Sequence, residues 1–164
     1  MSTRVAITDA NIFIDLLILD ISEEFFQLPL SICTTIEVML ELDPDQQSVL
    51  QQFVSSGALF IEHEASIDDS LQFNSGFSPA DRTLLSWAVS QNHLLLSGER
   101  MMRSWCKDRR IDYHGILWVF DQLLERNLID NIRAIILLEL LITKNQRLPI
   151  KECQIRIKQW SQDI

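Results

Sequence analysis

Residues 4–20 read RVAITDANIFIDLLILD, and this one stretch sets the reading of the chain. Arg4–Thr8 has the β-branched, apolar character of a short strand. From Asn11 to Asp20 the Ile, Phe and Leu residues recur at helical spacing. Between the two segments stands Asp9, an acid at a strand-to-helix junction. A strand that feeds a helix through a two- or three-residue turn is the opening unit of a parallel α/β sheet.

The pattern recurs along the chain. Leu30–Cys33 reads as a second strand entered through Pro29, and Thr34–Leu42 as a helix. Pro44 starts another helix, which Gly57 closes. Ala58–Ile61 is a third strand, and the polar residues 63–77 (HEASIDDSLQFNSGF) form a surface loop. Ser78-Pro79 opens a helix, His93–Leu96 is a fourth strand, and a helix follows Gly98. Ile111–Tyr113 is a short last strand, and Ile116–Arg126, Asn131–Thr143 and Pro149–Gln162 are helices. Alternation of short apolar strands with amphipathic helices predicts a three-layer α/β/α sandwich around a mainly parallel sheet. The expected organisation is one domain over residues 1–164, with residues 131–164 as a helical C-terminal extension packed on it.

Composition agrees with a packed fold. The 164 residues are 47% hydrophobic and 23% charged, and four Gly and four Pro leave little room for linkers. The net charge of −9 argues against a protein that coats nucleic acid with its whole surface. It is compatible with a cleft lined by acids beside a local basic strip. Cys33, Cys106 and Cys153 sit in apolar surroundings without CxxC spacing, which predicts buried free thiols. No signal-peptide pattern opens the chain, and the apolar run Ala134–Ile142 is too short to span a bilayer. A cytoplasmic protein with no membrane contact is expected.

In open α/β sheets ligands bind beyond the carboxyl ends of the strands. Four acids fall there: Asp9 after the first strand, Glu37 after the second, Asp81 in the first turn of the Ser78-Pro79 helix, and Glu99 after the fourth strand. Each also has a local role to play. Asp9 suits a helix N-cap, Thr34/Glu37 and Ser78/Asp81 fit capping boxes, and Glu99 complements a helix dipole. If strands one, two and four are neighbours, however, the four acids converge. Packed carboxylates repel one another unless a cation lies between them. An all-oxygen set suits Mg²⁺ or Mn²⁺, which can activate water and stabilise a phosphodiester under attack.

These residues resemble a known family. VAITDANIFIDLL (residues 5–17) looks like the opening of PIN domains, and Glu37 in TTIEVMLEL matches their second acid. SPADRTLLSWAVSQNHLLLSGERMMRSW (residues 78–105) resembles their helix-borne Asp, strand and small-residue turn ending in an acid. HGILWVFDQLLERNLI (residues 114–129) is similar to the next region of bacterial members. The resemblance covers residues 4–130, and RLPIKE from Arg147 is similar to the ends of some members. It implies a divalent-metal ribonuclease, often the toxin of a toxin–antitoxin pair, with Asp9, Glu37 and Asp81 as metal ligands. Glu99 stands where the family usually has Asp, and the extra methylene displaces its carboxylate by about a bond length. Asn11 and Asp15 are candidates to orient a ligand or water, and Ser97 to contact water or phosphate.

Arg100, Arg103 and Lys107 fall at i, i+3 and i+7, with Arg109 and Arg110 close behind, so five of 14 basic residues lie within 11 positions. With Arg82 they are the expected RNA contacts. His63, His93 and His114 show no metal-binding spacing and read as structural. Trp87, Trp105, Trp118 and Trp160 read as core or interface anchors before base-stacking platforms. No phosphate-binding glycine loop and no nucleophile–histidine motif is present. A phosphatase of the Asp-x-Asp type is disfavoured because position 11 is Asn. Expected partners are an RNA substrate, an antitoxin and a second copy of the chain. The competing expectation is a PIN-like binding module without catalysis, motivated by Glu99 and the −9 charge.

Overall fold

The computed structural model describes residues 3–164. Its centre is a five-stranded sheet built from β1 (Arg4–Thr8), β2 (Leu30–Thr35), β3 (Leu59–Glu62), β4 (Leu94–Leu96) and β5 (Tyr113–His114). The spatial order is β3-β2-β1-β4-β5 and every pairing is parallel. Parallel neighbours need crossovers, and helices supply them: α1 (Ala10–Leu19), α2 (Ser22–Phe26), α3 (Ile36–Glu41), α4 (Pro44–Ser55), α5 (Pro79–Gln91) and α6 (Arg100–Asp108). Beyond the sheet come α7 (Ile116–Glu125), α8 (Asn131–Lys144) and α9 (Ile150–Gln162). The result is the expected three-layer α/β/α sandwich.

The strand order decides where the site lies. From β1 the chain winds outward to β2 and β3, then returns to β4 and winds the other way to β5. Right-handed crossovers in opposite directions put their helices on opposite faces. A crevice is therefore left between the carboxyl ends of β1 and β4.

The centre of the sheet is apolar on both faces, as a covered parallel sheet requires. Ala6, Ile7, Leu94, Leu95 and Leu96 are all buried. Helix α1 buries Ile12, Phe13, Leu16 and Leu19 and packs on α2, α3 and α8. Each such side chain contributes about 1.5–3 kcal/mol by leaving water. Ala134, Leu138 and Leu141 of α8 and Cys153 and Trp160 of α9 belong to the same buried cluster. The three cysteines are free and buried. Burial pushes the Cys33 thiol up to about 11 and that of Cys106 to about 12, so both are unreactive thiols near neutrality. None of the helices in residues 3–164 is long and apolar enough to cross a membrane.

The main differences from expectation lie at the β2–α3 junction, in α2 and in the last strand. β2 continues through Thr34 and Thr35, which pair with Ile61 and Glu62, so α3 starts at Ile36. Thr34 is thus no helix cap: its hydroxyl donates to the Thr8 carbonyl at 2.7 Å and ties β2 to β1. Thr35 caps α3 instead, accepting from the Val38 amide. The short α2 is also new. It has no side-chain cap and spans five residues, too few for helical periodicity to show. The last strand is Tyr113–His114 rather than Ile111–Tyr113.

Candidate active site

At the carboxyl ends of β1 and β4 lies a cleft of about 390 Å³, into which Asp9, Glu41, Asp81 and Glu99 all face. Asp9 is its floor. The backbone amide of Asp9 donates to the Leu96 carbonyl at 2.9 Å, which locks the end of β1 to the end of β4. Its carboxylate caps α1 by accepting from the Ala10 amide at 2.7 Å, and it also accepts from the buried Ser97 hydroxyl at 2.9 Å. The Ser97 oxygen in turn accepts from the Glu99 amide at 3.1 Å and so sets the turn after β4.

Asp81 enters from the first turn of α5. The capping box expected there is present: Ser78 accepts from the Asp81 amide, and an Asp81 oxygen accepts from the Ser78 amide at 2.8 Å. The preceding loop is pinned so that Gly76, Phe77 and Ser78 reach the cleft. Phe73 stacks on Trp105 at 5.3 Å, and the Trp105 indole donates to the Gln72 carbonyl at 2.8 Å. Gly76 packs closely on Met101: a Cβ there would stand 2.9 Å from the Met101 methyl and would displace the end of that side chain.

Glu99 precedes α6 and makes no side-chain cap. One of its oxygens accepts from the Asn11 amide at 2.7 Å and from Arg147 at 2.5 Å. Asn11 also reaches Asp9, at 3.5 Å. Arg147 comes from the α8–α9 turn, far away in sequence, and its cation partly neutralises the acidic cluster.

The electrostatics match this crowding. Burial, the largest cause, pushes the Asp9 carboxyl up to about 7, with the charges of Asp81 and Glu41 adding to the rise against hydrogen bonds from Ser97 and Ala10. Burial also raises Glu41, reinforced by Asp81 and Glu99. Asp9, Asp81 and Glu99 are therefore brought together as the sequence pattern predicts. Glu37 is not part of the cleft wall. Glu41, one helical turn further on, is there instead. One Glu37 oxygen is buried with no hydrogen-bond partner.

Asp15 lies apart from the four acids. Its carboxylate accepts from the Asn145 amide at 3.1 Å, and burial raises it to about 6. The basic row lies on α6 and just beyond it, outside the acidic cleft. Arg103 lies over the Tyr113 ring, Arg109 covers Trp105, and Arg82, Arg100 and Lys107 stand outside the cleft wall. The Arg82 Nε is buried without a partner. Sequence reasoning overlooked Glu41 and Arg147. Glu41 had a signal, because i and i+4 share a helix face; Arg147 had only the resemblance of RLPIKE to the ends of some family members.

The donor chemistry fits a hard divalent cation: four carboxylates, no thiol or imidazole, and a buried member whose charge is unfavourable without one. The spacing is looser than a finished cage. Among the described residues no three acidic, histidine or cysteine side chains are grouped closely enough to hold an ion as they stand.

A doubly wound α/β domain with an acidic cleft at its topological switch point defines the class of this molecule. Residues 5–162 match the family described as the PIN domain, and the chain belongs to that family. PIN domains are in general nucleases and typically use divalent metals. None of the curated proteins matches the chain.

Proposed function

We propose that the protein is a Mg²⁺- or Mn²⁺-dependent endoribonuclease acting at the acidic cleft. The observation that carries this reading is the convergence of Asp9, Glu41, Asp81 and Glu99 at the β1/β4 switch point, with Asp9 raised to about 7. Asp9, Asp81 and Glu41 would hold the cation, with Glu99 at its edge. When bound, the cation supplies charge opposite a phosphodiester and acidifies water. The chain's own groups prepare for it. Ser97 and the Ala10 amide fix the orientation of Asp9, Asn11 holds Glu99, and the Ser78 amide holds Asp81.

The test is cleavage of labelled single-stranded RNA with Mn²⁺ or EDTA. Wild type is expected to cut only with metal. Asp9→Asn should lose about a thousandfold or more in rate while keeping its circular dichroism spectrum. Undiminished cutting by a folded Asp9→Asn protein would sink the assignment. The toxin role belongs to the same reading. Ile132, Ile136 and Leu140 are exposed at four-residue intervals on α8 and offer a face to an antitoxin helix.

A further inference from the structure

Beside the acidic cleft lies a second space of about 570 Å³, within the size range of small-ligand pockets. Its walls come from the end of β5, the start of α7 and the α8–α9 turn. Asn11, Ile14 and Arg147 line both spaces, so the two form one trough divided by these three side chains.

The lining is of a different kind from the cleft. Tyr113, His114 and Trp118 present aromatic surface, and the His114 ring stacks on Trp118 at 4.5 Å with 14° between planes. The Arg103 guanidinium stands 5.5 Å from the centre of the Tyr113 ring, and its Nε is buried without a partner. The charges sort themselves. Asp15 is held by Asn145, and Arg156 is paired with Asp121 at 2.7 Å. Arg103 and Lys144 have no ion-pair partner among the described residues. Glu152 is the remaining acid of the wall. In a chain of net charge −9, a pocket with aromatic faces and uncommitted cations stands out.

We infer that this pocket takes one nucleobase of a single-stranded RNA, so that the phosphate next to that base lies over the acidic cleft. Unpaired bases are recognised by stacking on aromatic rings and arginine planes, with cations along the backbone. Arg147, at the divide, then faces the phosphate that joins the two spaces. This inference rests on the nuclease reading of the cleft. It adds which part of the substrate is gripped and where.

The experiment is fluorescence anisotropy in EDTA at low salt, with fluorescein-labelled penta-adenylate and pentauridylate. Companion oligonucleotides replace each base in turn by abasic ribose. Wild type should lose about tenfold in affinity when one particular base is removed, and little at the others. Trp118→Leu should bind the intact strand about as weakly as wild type binds that abasic strand, with no further loss on the abasic one. Lys144→Ala, at an exposed position where folding is not at stake, should lower the slope of log affinity against log salt by about 0.7. Free 5′-AMP and 5′-UMP should bind far more weakly than the pentanucleotides. Equal binding of intact and abasic strands by wild type overturns the inference. So does the absence of binding, or mononucleotide binding as tight as that of the strand, which would make the occupant a free nucleotide. The two readings fail separately. Metal-dependent cutting without a base-specific loss removes only the pocket, whereas a base-specific loss without cutting removes only the nuclease.

Discussion

The acidic cleft and the aromatic pocket beside it share Asn11, Ile14 and Arg147, yet they are built in opposite ways. The cleft gathers like charges around a buried one: the Asp9 carboxyl is pushed up to about 7 mainly by burial, with the charges of Asp81 and Glu41 adding to the rise. The pocket brings together aromatic faces and cations, and its buried acid, Asp15, has an amide partner in Asn145. A site held under electrostatic strain can bind a cation strongly, because the cation relieves the repulsion. A site of stacked groups can add binding energy and discrimination without gathering like charges. The lesson is that like charges and stacked aromatic groups are segregated into adjacent halves of one trough.

The sharpest way to break this comparison is to ask which glutamate belongs to the strained half. Glu41→Gln is expected to lower metal-dependent cleavage about 100-fold, and Glu37→Gln less than about threefold. The reverse ranking would put Glu37 in the ligand set and leave Glu41 a surface acid.

A smaller effect concerns stability. In the metal-free protein the folded state keeps the Asp9 proton up to about pH 7, whereas the unfolded chain releases it near the ordinary value of 3.8. Between these values the folded state binds more protons, so stability falls as pH rises through the window and stays lower above it. Asp9→Asn removes that penalty, and Asn caps a helix as well as Asp does. Urea denaturation in EDTA should find the variant more stable than wild type at pH 8, by on the order of 2–4 kcal/mol. The two should converge near pH 4. Saturating Mn²⁺ should reverse the order at pH 8 by stabilising only wild type. A variant less stable than wild type at pH 8 would mean that Asp9 is not strained.

The smallest effect probes the divide. Arg147 pairs with Glu99, but both side chains are substantially exposed, at 67% and 38%. An ion pair of that kind contributes no more than about 1 kcal/mol. Calorimetry should therefore show Arg147→Ala binding Mn²⁺ up to about fivefold more tightly, as a competing cation is removed. Weaker Mn²⁺ binding would show that Arg147 positions Glu99 for the metal rather than competing with it.

Much of this molecule can be read from local pattern. The β1–Asp9–α1 junction, the Pro44 helix start and the Ser78/Asp81 capping box each depend on residues within a few positions of one another. Parallel strands could be expected from apolar runs alternating with helices. The extent of β2 could not, because Thr34 and Thr35 suit a strand end and a helix start equally well. Their pairing with Ile61 and Glu62 settled it. That same pairing sets where α3 begins, and the fold places Glu41 on the cleft wall where the sequence pattern had put Glu37.

By itself, then, the sequence determined the class of fold, the helix-start positions of Asp9, Asp81 and Glu99, and the buried cysteines, because propensity, capping and hydrophobic period act over one or two turns of chain. Only the tertiary structure decided the strand order, the place of Glu41, the reach of Arg147 to Glu99 across 48 residues, and the pocket of Tyr113, His114 and Trp118 beside the acids. These depend on which surfaces meet when the core is buried, and no local interaction encodes that.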